Sequence, residues 1–459
     1  MLLSKALAEF VEKTRFADIP AGVIENQKKS VTDAVSITFG ASTMGDGCQQ
    51  MVKLAEELSA GGRPEATVIG FGKKLPAVWA AFANGSMAHS LDYGDTHSVS
   101  TVHSNSSSFP AALAVAEQMG GVSGEDFLTA LVVGSEVAIR VANAADVNTV
   151  DAGFYVPTIY SSFGAVAAVG KLMGLTAEQL VAAFSFNLCQ TTCSSELMKN
   201  KKTVIRSVRE AFAARNAIVS CKMAKENLIG FEKPLEGELG LYHMLLQDRY
   251  TAERALDGLG TVWEAEKLTY KVWPCCFGTH SPITATMQLT QENALTAEDV
   301  EGIHVEVGAQ NIGLLEPLEQ RRNPDTAITA KFSIPFAVAC TVVYGTVRLQ
   351  SFSPEGLKDA KVLAMANKVE YTYRQDWQRG KETWATVRLH TKKGDFERFV
   401  ATPYGTPENP MSEEAFSAKF DSCAAGAFCP KSGQELDTIR QTIQTLDTIK
   451  DVREFAALL

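Results

Sequence analysis

The sequence predicts a mainly α protein with an α+β domain inserted between two helical parts. Three observations carry this reading. Up to about residue 265, the 459-residue chain is a succession of Ala-, Val- and Leu-rich segments stopped by glycine. Beyond that point the apolar period shortens in places to strand-like alternation, and near the end it lengthens again to a helical one. The expected divisions are 1–265 (helical), 266–400 (α+β) and 401–459 (helical), the tail packing back on the first part.

The segment MLLSKALAEFVEKTRF is apolar at Leu2, Leu3, Leu7, Phe10 and Val11 with charges between, an amphipathic helix and not a signal peptide. A helix is expected to end near Asp95, with a Ser- and Thr-rich loop after it and a new helix at Ser108–Pro110. PAALAVAEQMGG (110–121) opens on proline and closes on a glycine pair. SGEDFLTALVVGSEVAIRVANAA (123–145) has a serine cap and acidic residues in its first turn. FGAVAAVGKLMG (163–174) has small residues all round, as a helix buried among others requires. TAEQLVAAFSFNLCQ (176–190) places Thr176 and Gln179 at capping-box spacing, and REAFAARNAIVSCKMAKENLIG (209–230) is the next long helix.

In the middle part, HSPITATMQLTQEN (280–293) reads as a helix and IHVEV (303–307) as an alternating strand. KFSIPFAVACTVVYG (331–345) is an apolar helix with Pro335 near its start, and TWATVRLHTKKGDFERFVATPYG (383–405) is a hairpin around Lys-Gly-Asp. The tail is helical again in SEEAFSAKF (412–420) and ELDTIRQTIQTLDTIKDVREFAALL (435–459).

Composition narrows the function. Hydrophobic residues are 46% and charged residues 21%, the balance of a globular protein with a sizeable core. A formal net charge of −10 without a basic stripe argues against nucleic acid and anionic membranes as partners. An acidic substrate would therefore need a local positive pocket. No run reaches the roughly 18 apolar residues of a membrane span. The nine cysteines lie mostly in apolar contexts with no CxxC, which suits buried, reduced thiols in the cytoplasm and not a zinc ribbon or redox motif.

One stretch stands apart. HSLDYGDTHSVSTVH (89–103) holds three of the seven histidines and two aspartates. Three readings fit it. It can be a solvated loop of helix caps. His89, Asp92, His97 and His103 could bind a metal, although their spacing matches no familiar motif. Or a histidine carries protons while Asp92 orients it or binds substrate. Elsewhere, His304 and His390 read as structural, His243 could line a pocket, Lys331 reads as a paired or snorkelling lysine, and Cys275 and Cys276 read as packing.

NGSMAHSLDYGDTHSVSTVH followed by PAALAVAE resembles the signature of the MmgE/PrpD family, which contains 2-methylcitrate dehydratase, cis-aconitate decarboxylase and iminodisuccinate epimerase. GFYVPTIYSSFGAVAAVGKLMGL, REAFAARN, PLEGELGLY, VWPCCFGTHSPI, NPDTAITAKFSIPFAVA and ENPMSEEAFSAKF follow in the family's order, so the resemblance covers nearly the whole chain. It implies a large all-helical domain, a smaller α+β lid domain and a homodimer. Asp92 and Thr96 match the family's LDFDDT-like motif, with Gly94 in place of an acidic residue. His103 matches the histidine after that motif, and His280 the histidine that closes the PCC-x-x-x-H stretch.

Two positions depart from the pattern. Relatives carry GFH or GWH where this chain has Gly153-Phe154-Tyr155, and a lysine where Arg206 stands, with Arg209 three residues on. Tyrosine, with a reference pKa near 10 against about 6.5 for histidine, shuttles protons less readily at neutral pH but still donates a hydrogen bond to a carboxylate. Arginine keeps the positive charge and offers a planar fork for a carboxylate, yet cannot act as a base. The resemblance thus implies a homodimeric, cytoplasmic lyase that needs no cofactor or metal and acts on a small di- or tricarboxylate. Among the catalytic residues, His103 and His280 would move protons, Asp92 and Thr96 would orient the substrate or the catalytic histidine, and Tyr155 would donate a hydrogen bond to a carboxylate; Arg206 and Arg209 would bind substrate carboxylates. Dehydration and decarboxylation both remain open. So do an epimerase or isomerase working by α-proton abstraction and a non-catalytic carboxylate-binding relative.

Overall fold

The computed structural model describes residues 2–146, 153–200, 203–377, 381 and 383–459. It is mainly α with one smaller α+β unit. The two compact units are Met1–Tyr270 with Ser417–Leu459, and Lys271–Phe416.

The first unit is built from α1 (Leu3–Lys13), α2 (Ala21–Met44), α3 (Cys48–Leu58), α4 (Ala77–Met87), α5 (Ser104–Met119), α6 (Gly124–Asn143), α7 (Val156–Leu172), α8 (Ala177–Leu188), the short α9 (Ile205–Val208) and α10 (Glu210–Lys225). A small hairpin joins β1 (Ala66–Val68) to β2 (Lys73–Leu75), and β3 (Thr96–His97) pairs antiparallel with β4 (Leu268–Thr269). Helix α1 buries Leu3, Leu7, Phe10 and Val11, the face its spacing predicts. The Thr176–Gln179 capping box of α8 is formed, and Ser123 caps α6 by accepting from the Asp126 amide.

Small residues let these helices approach closely. A Cβ on Gly164 of α7 would lie 2.5 Å from the carbonyl oxygen of Gly134 in α6, so the two backbones touch at mutual glycines. A Cβ on Gly85 of α4 would lie 2.9 Å from the carbonyl of Glu210, which seats the start of α10 directly on α4.

Several expectations are corrected. Helix α4 ends at Met87, not near Asp95, because the chain turns at His89–Asp92 and Asp92 takes φ +52°, outside the helical region. Helix α5 begins at Ser104, and Pro110 lies inside it. The serines there do not break the helix, because the turn is wholly buried: Ser106 Oγ donates to the His103 carbonyl at 2.6 Å and Ser161 Oγ to the same oxygen at 3.2 Å. The long tail helix is interrupted: Gly433–Gln444 gives way to a 3₁₀ turn at Leu446–Thr448 and a four-residue helix at Arg453–Ala456. It packs on the first unit, where the Gly124 amide donates to the Ile449 carbonyl at 2.8 Å and the Gly70 amide to Leu459 at 3.1 Å.

The second unit holds a four-stranded sheet of order β6-β5-β7-β8, with β5 (Val300–Gly308), β6 (Val369–Arg374), β7 (Ala385–Thr391) and β8 (Gly394–Val400). Strand β5 runs parallel to β6 and antiparallel to β7. Val300, Ile303, Val305 and Val307 alternate into its core with Val387, Leu389 and the apolar helix Ile334–Tyr344. The β7–β8 turn is Lys392–Lys393, and Gly394, at φ +119°, already pairs with Thr391.

The unit boundaries fall later than 265 and 400. Residues 268–269 join the first unit through the β3–β4 pair. Residues beyond Val400 stay with the second, where the Tyr404 amide donates to Thr284 Oγ1 at 3.3 Å and Thr383 Oγ1 to the Ala401 carbonyl at 2.7 Å. Among the described residues no helix is long and apolar enough to cross a membrane.

Candidate active site

The polar stretch folds back on itself after α4. The Asp92 amide donates to the His89 carbonyl at 3.0 Å, and Asp92 is one of the residue types that tolerate the left-handed φ this turn requires. A second loop is closed by His97 N–H to the Val102 carbonyl at 2.9 Å and Thr101 N–H to the His97 carbonyl at 2.8 Å. The result brings His103, at the N-cap of α5, against His89: their rings are 3.9 Å apart between centroids and inclined by 31°.

His103 is held in a defined form. Its Nδ1 lies 2.8 Å from the backbone carbonyl of Asp95, which can only accept. Nδ1 therefore carries the proton, and in the neutral ring Nε2 is the nitrogen able to take one up.

Arg206 of α9 ties the loop to α7. Its Nη2 donates to Asp92 Oδ1 at 3.0 Å, and its Nη1 to the Tyr155 hydroxyl at 3.0 Å, with Met198 Sδ at 3.3 Å. Asp92 Oδ1 is also 3.5 Å from His89 Nε2. Tyr155 is fixed at the N-cap of α7, its amide donating to the Cys193 carbonyl at 2.8 Å. Asp92, Tyr155 and Arg206 are all buried, so these contacts act in a low-dielectric setting.

Arg209 backs this set. Its guanidinium carbon stands 4.8 Å from the Tyr155 ring centroid, Nε donates to Thr158 Oγ1 at 2.9 Å, and Nη1 donates to the Arg206 carbonyl. Glu210 Oε1 is 3.2 Å from Arg209 Nε, and Glu210 accepts from Ser107 Oγ at 2.6 Å and Thr158 Oγ1 at 2.8 Å. Each buried arginine is thus matched by a buried carboxylate, which is what makes burial of two cations in one place tolerable.

A second polar network supports the loop from below. Asp95 Oδ2 accepts from Ser30 Oγ at 2.9 Å and Asn105 Nδ2 at 3.1 Å. Burial, and the nearby charge of Asp33, push the Asp95 carboxyl up to about 6. Asp33 is paired in turn with Lys419 at 2.5 Å, and Lys419 Nζ donates to the Tyr93 carbonyl at 2.8 Å, so the C-terminal segment holds the loop's backbone.

Of the residues singled out by sequence, Asp92, His103, Tyr155, Arg206 and Arg209 lie in the first unit within one connected set of contacts. Thr96 is buried in β3, its backbone paired with Thr269. His280 belongs to the second unit, where it opens the helix His280–Glu292. Its Nδ1 donates to the Cys276 carbonyl at 3.3 Å, and Trp273 and Phe277 flank the ring at 5.1 and 5.2 Å. His280 is thereby set in the same tautomer as His103.

His97 is turned elsewhere, with Nε2 3.3 Å from Glu264 and Nδ1 3.0 Å from Ser100 Oγ. The bond from His97 holds the Glu264 carboxyl down at about 2. Among the described residues, no group of three or more His, Cys, Asp and Glu side chains is arranged to hold a metal ion. The remaining histidines have local partners: His243 with Asp248 at 2.7 Å, His304 with Thr372 at 3.0 Å and His390 with Asp395 at 3.1 Å. His243 is half-buried and pairs with Asp248 near the surface. Lys331 stands 5.8 Å from the Phe352 ring centroid, and Cys275 Sγ 3.0 Å from Thr279 Oγ1.

Sequence reasoning missed Glu210 and Asp95, and weighed His89 only as a metal ligand. A signal for Glu210 was present: a carboxylate directly after Arg209 at the head of an otherwise apolar helix. Nothing in the local sequence marks Asp95, whose partners Ser30 and Asn105 are remote in the chain or on another element.

The model of the MmgE/PrpD N-terminal domain matches residues 5–253, and that of the MmgE/PrpD C-terminal domain residues 273–445. The chain is 26% identical to cis-aconitate decarboxylase-like protein oryM of Aspergillus oryzae, covering 99% of this chain and 96% of that one. It is 24% identical to cis-aconitate decarboxylase of Aspergillus terreus, over 96% and 92% of the two chains. Against cis-aconitate decarboxylase of Mus musculus the identity is 23%, over 99% and 92%.

Proposed function

The chain belongs to the MmgE/PrpD family, and on that premise we propose that it is a cofactor-independent lyase for a small di- or tricarboxylate. The reaction is loss of water or of CO2 through proton transfer at a carbon beside a carboxylate. The reading has it working as a homodimer in the cytoplasm.

The observation that carries the proposal is His103: Nδ1 committed to the Asp95 carbonyl, and Nε2 as the nitrogen that exchanges a proton. In dehydration, His103 Nε2 removes the proton next to the carboxylate, and the hydroxyl leaves as water on taking a proton from the imidazolium so formed or from a second acid. In decarboxylation, His103 starts as the imidazolium, CO2 departs first, and Nε2 donates its proton to the carbanion carbon. Both routes pass through an enolate-like anion, for which Arg206, fixed by Asp92 and Tyr155, supplies the positive charge. Thr96 and Tyr155 orient the substrate, and His280 is the second proton carrier. The names of the relatives favour decarboxylation as the first chemistry to test.

The test is incubation with a panel of polycarboxylates, cis-aconitate among them, in deuterium oxide. NMR should show an alkene or a decarboxylated product with deuterium at the reacting carbon. Exchange of one α-proton with no product would point to an epimerase or isomerase. No change in any acid of the panel would sink the lyase reading.

A further inference from the structure

We propose that His89 is a positioning residue for His103: of the two stacked rings it takes the first proton, which leaves the His103 ring neutral with Nε2 as a base. The order of protonation stands on geometry; its consequence for catalysis rests on the lyase reading above.

The two rings come from separate elements, His89 from the turn after α4 and His103 from the N-cap of α5. Both are buried, and their centroids are 3.9 Å apart. At that separation two imidazolium charges repel. The second proton is therefore harder to add than the first, and the rings titrate as a coupled pair. What stands on the other side of each ring decides the order. His89 Nε2 is 3.5 Å from Asp92 Oδ1, a carboxylate that favours the charged ring. His103 Nδ1 donates to the Asp95 backbone carbonyl, which fixes the tautomer and carries no formal charge. The Asp95 carboxyl itself is turned to Ser30 and Asn105, and behind it Asp33 is paired with Lys419.

Two effects oppose a charge on His89. Arg206 donates to the same Asp92 oxygen at 3.0 Å, and burial disfavours any ion. Burial acts on both rings, at 1% exposure for His89 and 9% for His103, so it separates them little. Asp92 Oδ1 has lone pairs for both donors, and Arg206 is also bound to the Tyr155 hydroxyl, while Arg209 is paired with Glu210. The carboxylate contact is what distinguishes His89 from His103. A neutral His103 is the form that proton removal beside a carboxylate requires, and a proton on His89 adds to the positive charge that Arg206 offers an acidic substrate.

The experiment is NMR titration of the ring carbons and nitrogens in the full-length, histidine-labelled protein, with His89→Asn, His89→Phe and His103→Phe beside the parent. In the parent, His89 should become charged at a higher pH than His103. In both His89 variants the His103 midpoint should rise by about one unit or more, because the neighbouring charge is gone. His89→Phe keeps a ring in place, so a residue that only fills space would leave that midpoint unmoved. In His103→Phe the His89 midpoint should hardly shift, since His103 is neutral while His89 titrates. A parent in which His103 is charged first, or folded His89 variants with an unmoved His103 midpoint, would overturn the assignment. Should both His89 variants fail to fold, the order in the parent and the His103→Phe titration decide. The limb of kcat/KM that follows His103 should move to higher pH in His89→Phe along with the midpoint. A moved midpoint with an unmoved limb would overturn the part of His89 in catalysis. No turnover of any polycarboxylate by the parent would sink the lyase reading and leave the order of protonation standing.

Discussion

Asp92 and Arg206 form a buried ion pair, Oδ1 to Nη2 at 3.0 Å, with side chains only 5% and 7% exposed. The pair joins a loop to a short helix more than a hundred residues further along the chain, and Tyr155 and His89 extend it on either side. On the function proposed above, a substrate carboxylate would share Arg206 with Asp92.

Removing one partner leaves the other charge buried. Arg206→Ala should therefore cost roughly 3–5 kcal/mol of folding stability, measured by denaturant titration. Arg206→Lys should retain much of that, because the charge survives and only the fork is lost. In the folded Arg206→Lys protein, substrate affinity should fall about tenfold. An Arg206→Ala protein as stable as the parent would show that the pair contributes nothing.

His103→Ala should lower kcat by about 10²–10⁴-fold with the fold intact, the usual contribution of a positioned acid–base group. His103→Gln should do no better, since an amide cannot carry the proton. A variant that is folded and within about threefold of the parent would move the chemistry to His280 or Tyr155.

Asp95 gives stability a pH dependence of known sign. Its carboxyl is raised from an ordinary value of 3.8 to about 6. Below the ordinary value both folded and unfolded chains hold the proton, and the contribution is complete. As pH rises through about 6 the folded chain is forced to ionise a buried group, and roughly 3 kcal/mol is lost. Glu136, likewise raised to about 6 by burial, acts in the same sense, and Glu264, held at about 2, in the opposite sense at lower pH. Subtracting the profile of Asp95→Asn from that of the parent should isolate a fall between about pH 4 and 6. A flat difference would refute the assignment.

The α6–α7 contact should resist any added atom. Gly164→Ala places a methyl 2.5 Å from the Gly134 carbonyl and 2.7 Å from Ala138 Cβ. Thermal denaturation should show a loss of about 1–3 kcal/mol or more. Gly433→Ala, where nothing lies within 4 Å of the new methyl, serves as the control and should be near neutral.

Burial should silence most thiols. It pushes Cys48 and Cys193 up to about 11, and Cys340 and Cys423 up to about 12. At pH 8 a disulfide reagent should react quickly at the exposed Cys189 and not at these four until the protein unfolds, as mass spectrometry of the labelled peptides would show. Fast labelling of Cys193 in the native protein would mean that the segment around it opens readily.

The sequence by itself determined the helical periodicity of α1, the Thr176 and Ser123 caps, the alternation of β5 and the β7–β8 hairpin. Each depends on residues within a few positions of one another. Its motifs also singled out Asp92, His103, Tyr155, Arg206 and Arg209. What joins these residues only the tertiary structure decided. The Asp92–Arg206 pair, the stacking of His103 on His89 and the shielding of Glu210 arise where separate segments meet. The same holds for the misplaced helix ends. Serine-rich residues 104–108 favour a loop locally, yet they are helical because burial among other helices leaves their backbone groups no partner but each other. Local preference is worth tenths of a kcal/mol per residue, and a buried unpaired amide costs more, so packing wins wherever the two disagree.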